Sequence, residues 1–99
     1  MSGKGTGTNM SASRAEDISS IIRRSLEREL ALSASKKRVI EEEIQEFERK
    51  YGMPSKEFVQ RFDSGELGDE QDCFEWWGLV KGLKAVNAEI SEIRAVLSS

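Results

Sequence analysis

The 99-residue chain has no histidine, one cysteine, one proline and no long apolar run. Without histidine it lacks the commonest general base and metal ligand. A lone cysteine excludes an internal disulfide and a Cys-rich zinc site. No stretch approaches the ~18 apolar residues that a membrane span requires, and Met1 to Met10 lacks the apolar centre of a signal peptide. These absences point to a cytoplasmic, non-enzymatic protein with no cofactor, no metal and no membrane contact. What is plentiful is charge: 33% of residues are charged against 37% hydrophobic. This balance suits helices that each bury a narrow stripe.

Residues 1–12 carry Gly3, Gly5 and Gly7 among Ser, Thr and Asn, too little apolar area to offset chain entropy, so this segment is expected to be a disordered tail. Its Gly-Lys-Gly-Thr-Gly run lacks the strand and helix flanks of a phosphate-binding loop. A single domain, 13–99, follows. Ser13 with Glu16 forms a capping box, and no Pro or Gly interrupts the chain from there to Tyr51. Apolar residues recur at Ile18, Ile22, Leu26 and Leu30, then at Ile40, Ile44, Phe47 and Tyr51, and the spacing predicts one long helix. Ser33 and Lys37 occupy the same stripe in its middle, the expected place for a kink or fray near Ser33 to Ser35.

Gly52 is a natural left-handed stop, and Pro54 is placed at the first position of a short second helix ending near Asp63. Asp69 is the expected N-cap of a third helix running to Leu97. In that helix Trp76, Leu79, Leu83, Val86, Ile90, Ile93 and Leu97 are spaced three, four, three, four, three and four, a heptad seam. The predicted fold is an all-α helical hairpin, coiled-coil-like, of two long helices and a short connecting one. At about 1.5 Å per residue the long helices span about 58 and 43 Å, more seam than two helices alone are expected to cover. Leu79, Leu83, Val86, Ile90, Ile93 and Leu97 are therefore the candidate self-association surface of a homo-oligomeric bundle. Gly78, Gly82 and Ala85 form a second stripe, of small residues, that would let another backbone come close.

All the aromatic residues lie between Phe47 and Trp77, so they are expected to form one core at the joined ends of the hairpin. Trp76 and Trp77 sit about 100° apart on a helix, which leaves Trp77 as a candidate partner contact. Charge is segregated too. Residues 41–75 hold four basic and twelve acidic groups, whereas residues 1–40 hold eight basic and four acidic. Glu42 and Glu46 are candidate contacts for a basic partner. The acids of the connector do not make a calcium loop, because Gly65, Leu67 and Phe74 fall where ligands would be needed. The basic residues from Arg23 to Arg38 are interrupted by Glu27 and Glu29 and have no aromatic among them, so nucleic acid is not an expected partner. Cys73, beside Asp72 and Glu75, is expected to be an unreactive thiol.

The segment from Phe47 to Trp76 runs Lys50-Tyr51-Gly52-Met53, Ser55, Glu57-Phe58, Phe62, Gly65-Glu66-Leu67-Gly68-Asp69, Asp72 and Phe74-Glu75-Trp76. It resembles a group of small prokaryotic helical proteins that share this KYGM to GELGD to FEW pattern and are often regarded as antitoxin-like. The resemblance covers about a third of the chain and departs from the pattern at Pro54, where a helix-capping Ser is more usual. It implies a helical protein that binds and neutralises a small protein toxin from a neighbouring gene. The alternatives are a structural coiled-coil adaptor or assembly subunit and, behind it, a nucleic-acid-binding regulator. The first part of the long helix lies outside the resemblance, so no partner contact is carried over there.

Overall fold

A computed structural model describes residues 2–68 and 70–99, with side chains described from residue 17 onward, and three helices in the order α1 (Ser2–Tyr51), α2 (Ser55–Asp63) and α3 (Gln71–Ser98). The side chains of the expected tail over residues 1–12 and of the capping box at Ser13 lie outside the described residues. Among the described residues there is no strand, and α1 and α3 pack against each other as an antiparallel hairpin.

Two polar contacts mark the two ends of the pairing. At one end the Tyr51 hydroxyl and the Lys50 ammonium both donate to Asp72 Oδ2, at 2.6 and 2.7 Å. At the other, the Arg23 guanidinium donates to the Leu97 carbonyl at 3.3 Å. The last turn of α3 contains no basic residue, so Arg23 supplies from α1 the positive charge that a helix C-terminus favours.

Between these two contacts runs a 4–3 repeat on α1: Leu26, Leu30, Ser33, Lys37, Ile40, Ile44, Phe47 and Tyr51. Ser33 and Ile44 are buried, and most of the others are half-buried. The helix continues without a break through Ser33 to Ser35, so the expected fray is absent. Ser33 is instead held 4% exposed under α3, and among the described residues no buried side-chain polar atom lacks a hydrogen-bond partner.

On α3, Trp76, Val86, Ile90 and Ile93 are buried, and Leu79, Leu83 and Leu97 are half-buried. This corrects the expectation that the seam lacks cover within one hairpin, because α1 covers it in the same chain. The stripe of α1 is also shorter than its spacing predicts. Ile18 and Ile22 are more than half exposed, because steps of four residues drift by about 40° each around a helix and α3 ends alongside Arg23.

The connector is capped from outside itself. Gly52 takes φ +60°, the left-handed stop its position predicts. Pro54, placed in the first turn by its sequence, is instead the N-cap of α2, in extended conformation (φ −69°, ψ 148°) with no capping hydrogen bond from its side chain. The Glu48 carboxylate of α1 takes over that role, accepting the Ser55 amide at 2.8 Å. Helix α2 closes at Ser64, and Gly65 at φ +80° turns the chain so that the Glu66 amide reaches the Arg61 carbonyl. The N-cap of α3 is Glu70, one residue beyond the expected Asp69.

Candidate functional site

The hairpin has two broad faces that differ in kind. One is closed at its aromatic end by α2. Phe58 (1% exposed) stacks on Trp76 (2% exposed) with centroids 3.9 Å apart and planes 3° from parallel. Phe47 and Tyr51 stack on the same indole from α1, each at 5.7 Å. The Trp76 indole N–H donates to the Ser55 hydroxyl at 2.9 Å, so the one polar atom of the ring is satisfied. Phe62 meets Phe74 edge-on at 5.5 Å and Trp77 at 5.9 Å. Every aromatic residue of the chain thus belongs to one network that ties α2 to both long helices.

A cavity of about 150 Å³ lies beneath the connector, lined by Tyr51, Phe58, Leu67, Cys73 and Trp76 among others. Cys73 is half-buried. Burial pushes its thiol up from the ordinary value, and the charges of Glu70 and Asp72 push it further, which opposes thiolate formation.

The Lys50–Asp72–Tyr51 clasp joins the end of α1 to the start of α3. The Lys50 ammonium, and then the Tyr51 hydroxyl, hold the Asp72 carboxyl below the usual carboxylate range. Asp72 accordingly raises both partners above theirs. A carboxylate with a depressed folded-state pKa contributes stability that is fully present above its unfolded value and is lost as pH falls through its folded value. The stability difference between the wild type and Asp72→Asn is therefore expected to be level around neutral pH and to shrink below about pH 4. Urea midpoints of both proteins at pH 7 and pH 3 check this; an equal difference at both values would mean that the clasp is not charge-based.

The opposite face is open. On α1, Ile18, Ile22, Leu32 and Val39 are exposed (Leu32 at 67%). They belong to a second run of alternating four- and three-residue steps, 18, 22, 25, 29, 32, 36, 39, 43, 46 and 50, flanking the inner stripe. On α3 the corresponding flank carries Glu75, Gly78, Gly82, Ala85 and the exposed Val96. Where the two flanks meet there is a groove of about 650 Å³, with Ile40, Phe47, Leu79, Gly78 and Gly82 along it and Glu43, Glu46 and Glu75 at its edges. A Cβ added at Gly78 would have no neighbour within 4 Å, and one at Gly82 would meet only the tip of Ile40 at 3.9 Å. The close approach that the small-residue stripe suggests is therefore not made within this chain.

Of the candidate partner contacts, Glu46 borders this groove, whereas Glu42 is exposed and does not line it. Trp77 lies elsewhere: it is half-buried against Phe62, its indole N–H donates to Asp63 at 3.2 Å, and the Lys81 ammonium lies 5.5 Å from its ring. The exposed aromatics are Phe74 and Tyr51. The candidate self-association residues form the hairpin's own interior or its margin. Sequence reasoning missed Leu32 and Val39, although their seven-residue separation was a signal for them.

Among the described residues no group of three His, Cys, Asp or Glu side chains is placed to hold a metal ion. No helix among them is long and apolar enough to cross a membrane. Comparison with known proteins finds no matching family model, no matching curated protein and no matching solved structure.

Proposed function

We propose that the chain is a non-enzymatic protein-interaction module acting in the cytoplasm, antitoxin-like in that it works by direct binding to a small protein encoded beside it. The observation that carries this reading is the unequal treatment of the two faces. One is closed by an aromatic lock, while the other leaves Ile18, Ile22, Leu32, Val39 and Val96 more than half exposed on a surface rich in charge. Large apolar side chains left exposed along one face and interleaved with charge are what an interaction surface requires. The test is co-expression with the neighbouring gene's product, followed by co-purification and growth rescue, in the wild type and in Leu32→Asp. Binding and rescue that both disappear in the variant support the reading. A neighbour that does not bind, or rescue that survives the substitution, overturns it.

A second reading, a self-associating coiled-coil adaptor, draws on Leu32 and Val39, exposed near the middle of α1 and one heptad apart. Sedimentation equilibrium separates the two: an adaptor of this kind is a concentration-dependent homo-oligomer that Leu32→Asp dissociates.

A further inference from the structure

From the open face we infer its occupant: a single amphipathic helix from a different protein, basic along its flanks, laid lengthwise in the groove between α1 and α3. This rests on the interaction-module reading and adds the partner's chemistry.

The shape of the face argues for a helix. The groove is walled by residues 40–50 of α1 and 75–82 of α3, and the exposed Val39, Leu32, Ile22 and Val96 continue the same two flanks beyond it, an arrangement that accepts an apolar helical stripe. Gly78 and Gly82 remove side chains from the groove wall that faces Ile40 and Phe47. Two glycines inside a helix weaken it relative to alanine, and neither is needed for packing within the chain, since a Cβ fits at both positions. An approaching backbone gives them a use.

Charge argues for a basic partner and against a second copy. The two flanks carry Glu29, Glu43, Glu46, Glu75, Glu89 and Glu92 against Lys36 and Lys50, and Lys50 is engaged by Asp72. Two such faces brought together would oppose like charges, whereas arginine or lysine on the flanks of a docked helix would meet a glutamate on either side of the groove.

The probe is a fluorescently labelled 28-residue designed helix with leucine on one stripe and arginine beside it, compared with a twin carrying glutamate in place of arginine. Anisotropy titrations with the full chain are expected to show the arginine peptide binding at least about tenfold more tightly than its twin at low salt. The preference should shrink at 0.3 M salt as flank charges are screened. The double variant Glu43→Lys/Glu46→Lys should reverse it. Gly78→Leu fills the groove and should weaken arginine-peptide binding at least about tenfold, while its melting temperature stays at or above that of the wild type; Gly78→Ala, the milder filling, is the second variant.

Equal binding of the two peptides, or unchanged binding by both Gly78 variants, overturns the inference. A wild-type homodimer that Leu32→Asp dissociates also overturns it, because the occupant is then a second copy. If the neighbouring protein binds through Leu32 while the arginine peptide does not bind, the interaction-module reading stands and the partner chemistry falls. If neither binds, both fall.

Discussion

Phe58→Ala is expected to destabilise the chain by about 3 to 5 kcal/mol, the range for truncating a fully buried phenylalanine. The environment argues for the upper half. Phe58 is the fully buried anchor of α2 and covers one side of Trp76 with near-parallel stacking at 3.9 Å. A nine-residue helix has little stability of its own in water. Once Phe58 is removed, α2 keeps Phe62 and the Ser55–Trp76 hydrogen bond as its main ties. Undocking would then bring water to Trp76 as well as to the cavity left behind. Against a total of about 5 to 15 kcal/mol for an ordinary domain, such a loss is a large fraction. Urea unfolding followed by tryptophan fluorescence gives the magnitude, and hydrogen exchange over residues 56–62 gives the mechanism. A loss under about 1 kcal/mol, with slow exchange in α2, would show that the lock does not depend on this ring.

Ile90→Asp is expected to cost several kcal/mol, because it places a carboxylate in the dry seam between α1 and α3 with no partner. Ile90 is 7% exposed, while Val96, on the same helix and 56% exposed, is its natural control. Val96→Asp should change stability by no more than about 0.5 kcal/mol, as surface substitutions usually do. The pair tests where the seam is spent. If α1 of the same chain covers it, Ile90→Asp lowers the melting temperature at every protein concentration. If Ile90→Asp leaves the monomer as stable as the wild type and removes only an oligomer, the seam belongs to another copy and the pairing described above is wrong.

These two results, with the open face, make the protein a hairpin whose stability is concentrated at one end and along its interior. A partner that docks on the open face meets the aromatic network only at Phe47, so substitutions at Leu32 or Gly78 can alter binding separately from folding. Gly78→Ala illustrates the point. It is expected to add up to about 1 kcal/mol of stability, because alanine is the better helix former and its Cβ enters open space. Thermal unfolding checks this, and a lower melting temperature would mean that the space at Gly78 is already used within the chain.

Much of the architecture was legible in the residues alone. The 3–4 spacing from Trp76 to Leu97 specified the buried face of α3, and Gly52 specified the end of α1, because local periodicity and the steric freedom of glycine do not depend on the rest of the chain. Ser33 and Lys37 kept register with Ile40 and Leu30, so the stripe could be followed through polar residues. The confinement of aromatics to residues 47–77 marked the locked end. What only the tertiary structure decided was pairing. Periodicity orients a face but does not say which surface covers it. The seam of α3 was therefore equally suited to a second copy, and only the structure shows it packed on α1, with the Tyr51–Asp72 and Arg23–Leu97 contacts at its two ends. The same register leaves Ile18 and Ile22 without α3 opposite them, and it lets Glu48 cap α2 from a separate helix. It also turns Trp77 toward Asp63 and places Glu43, Glu46 and Glu75 around one glycine-walled groove. Those contacts join residues far apart in the chain, and long-range pairing is set by the summed packing of two helices rather than by the spacing within either one.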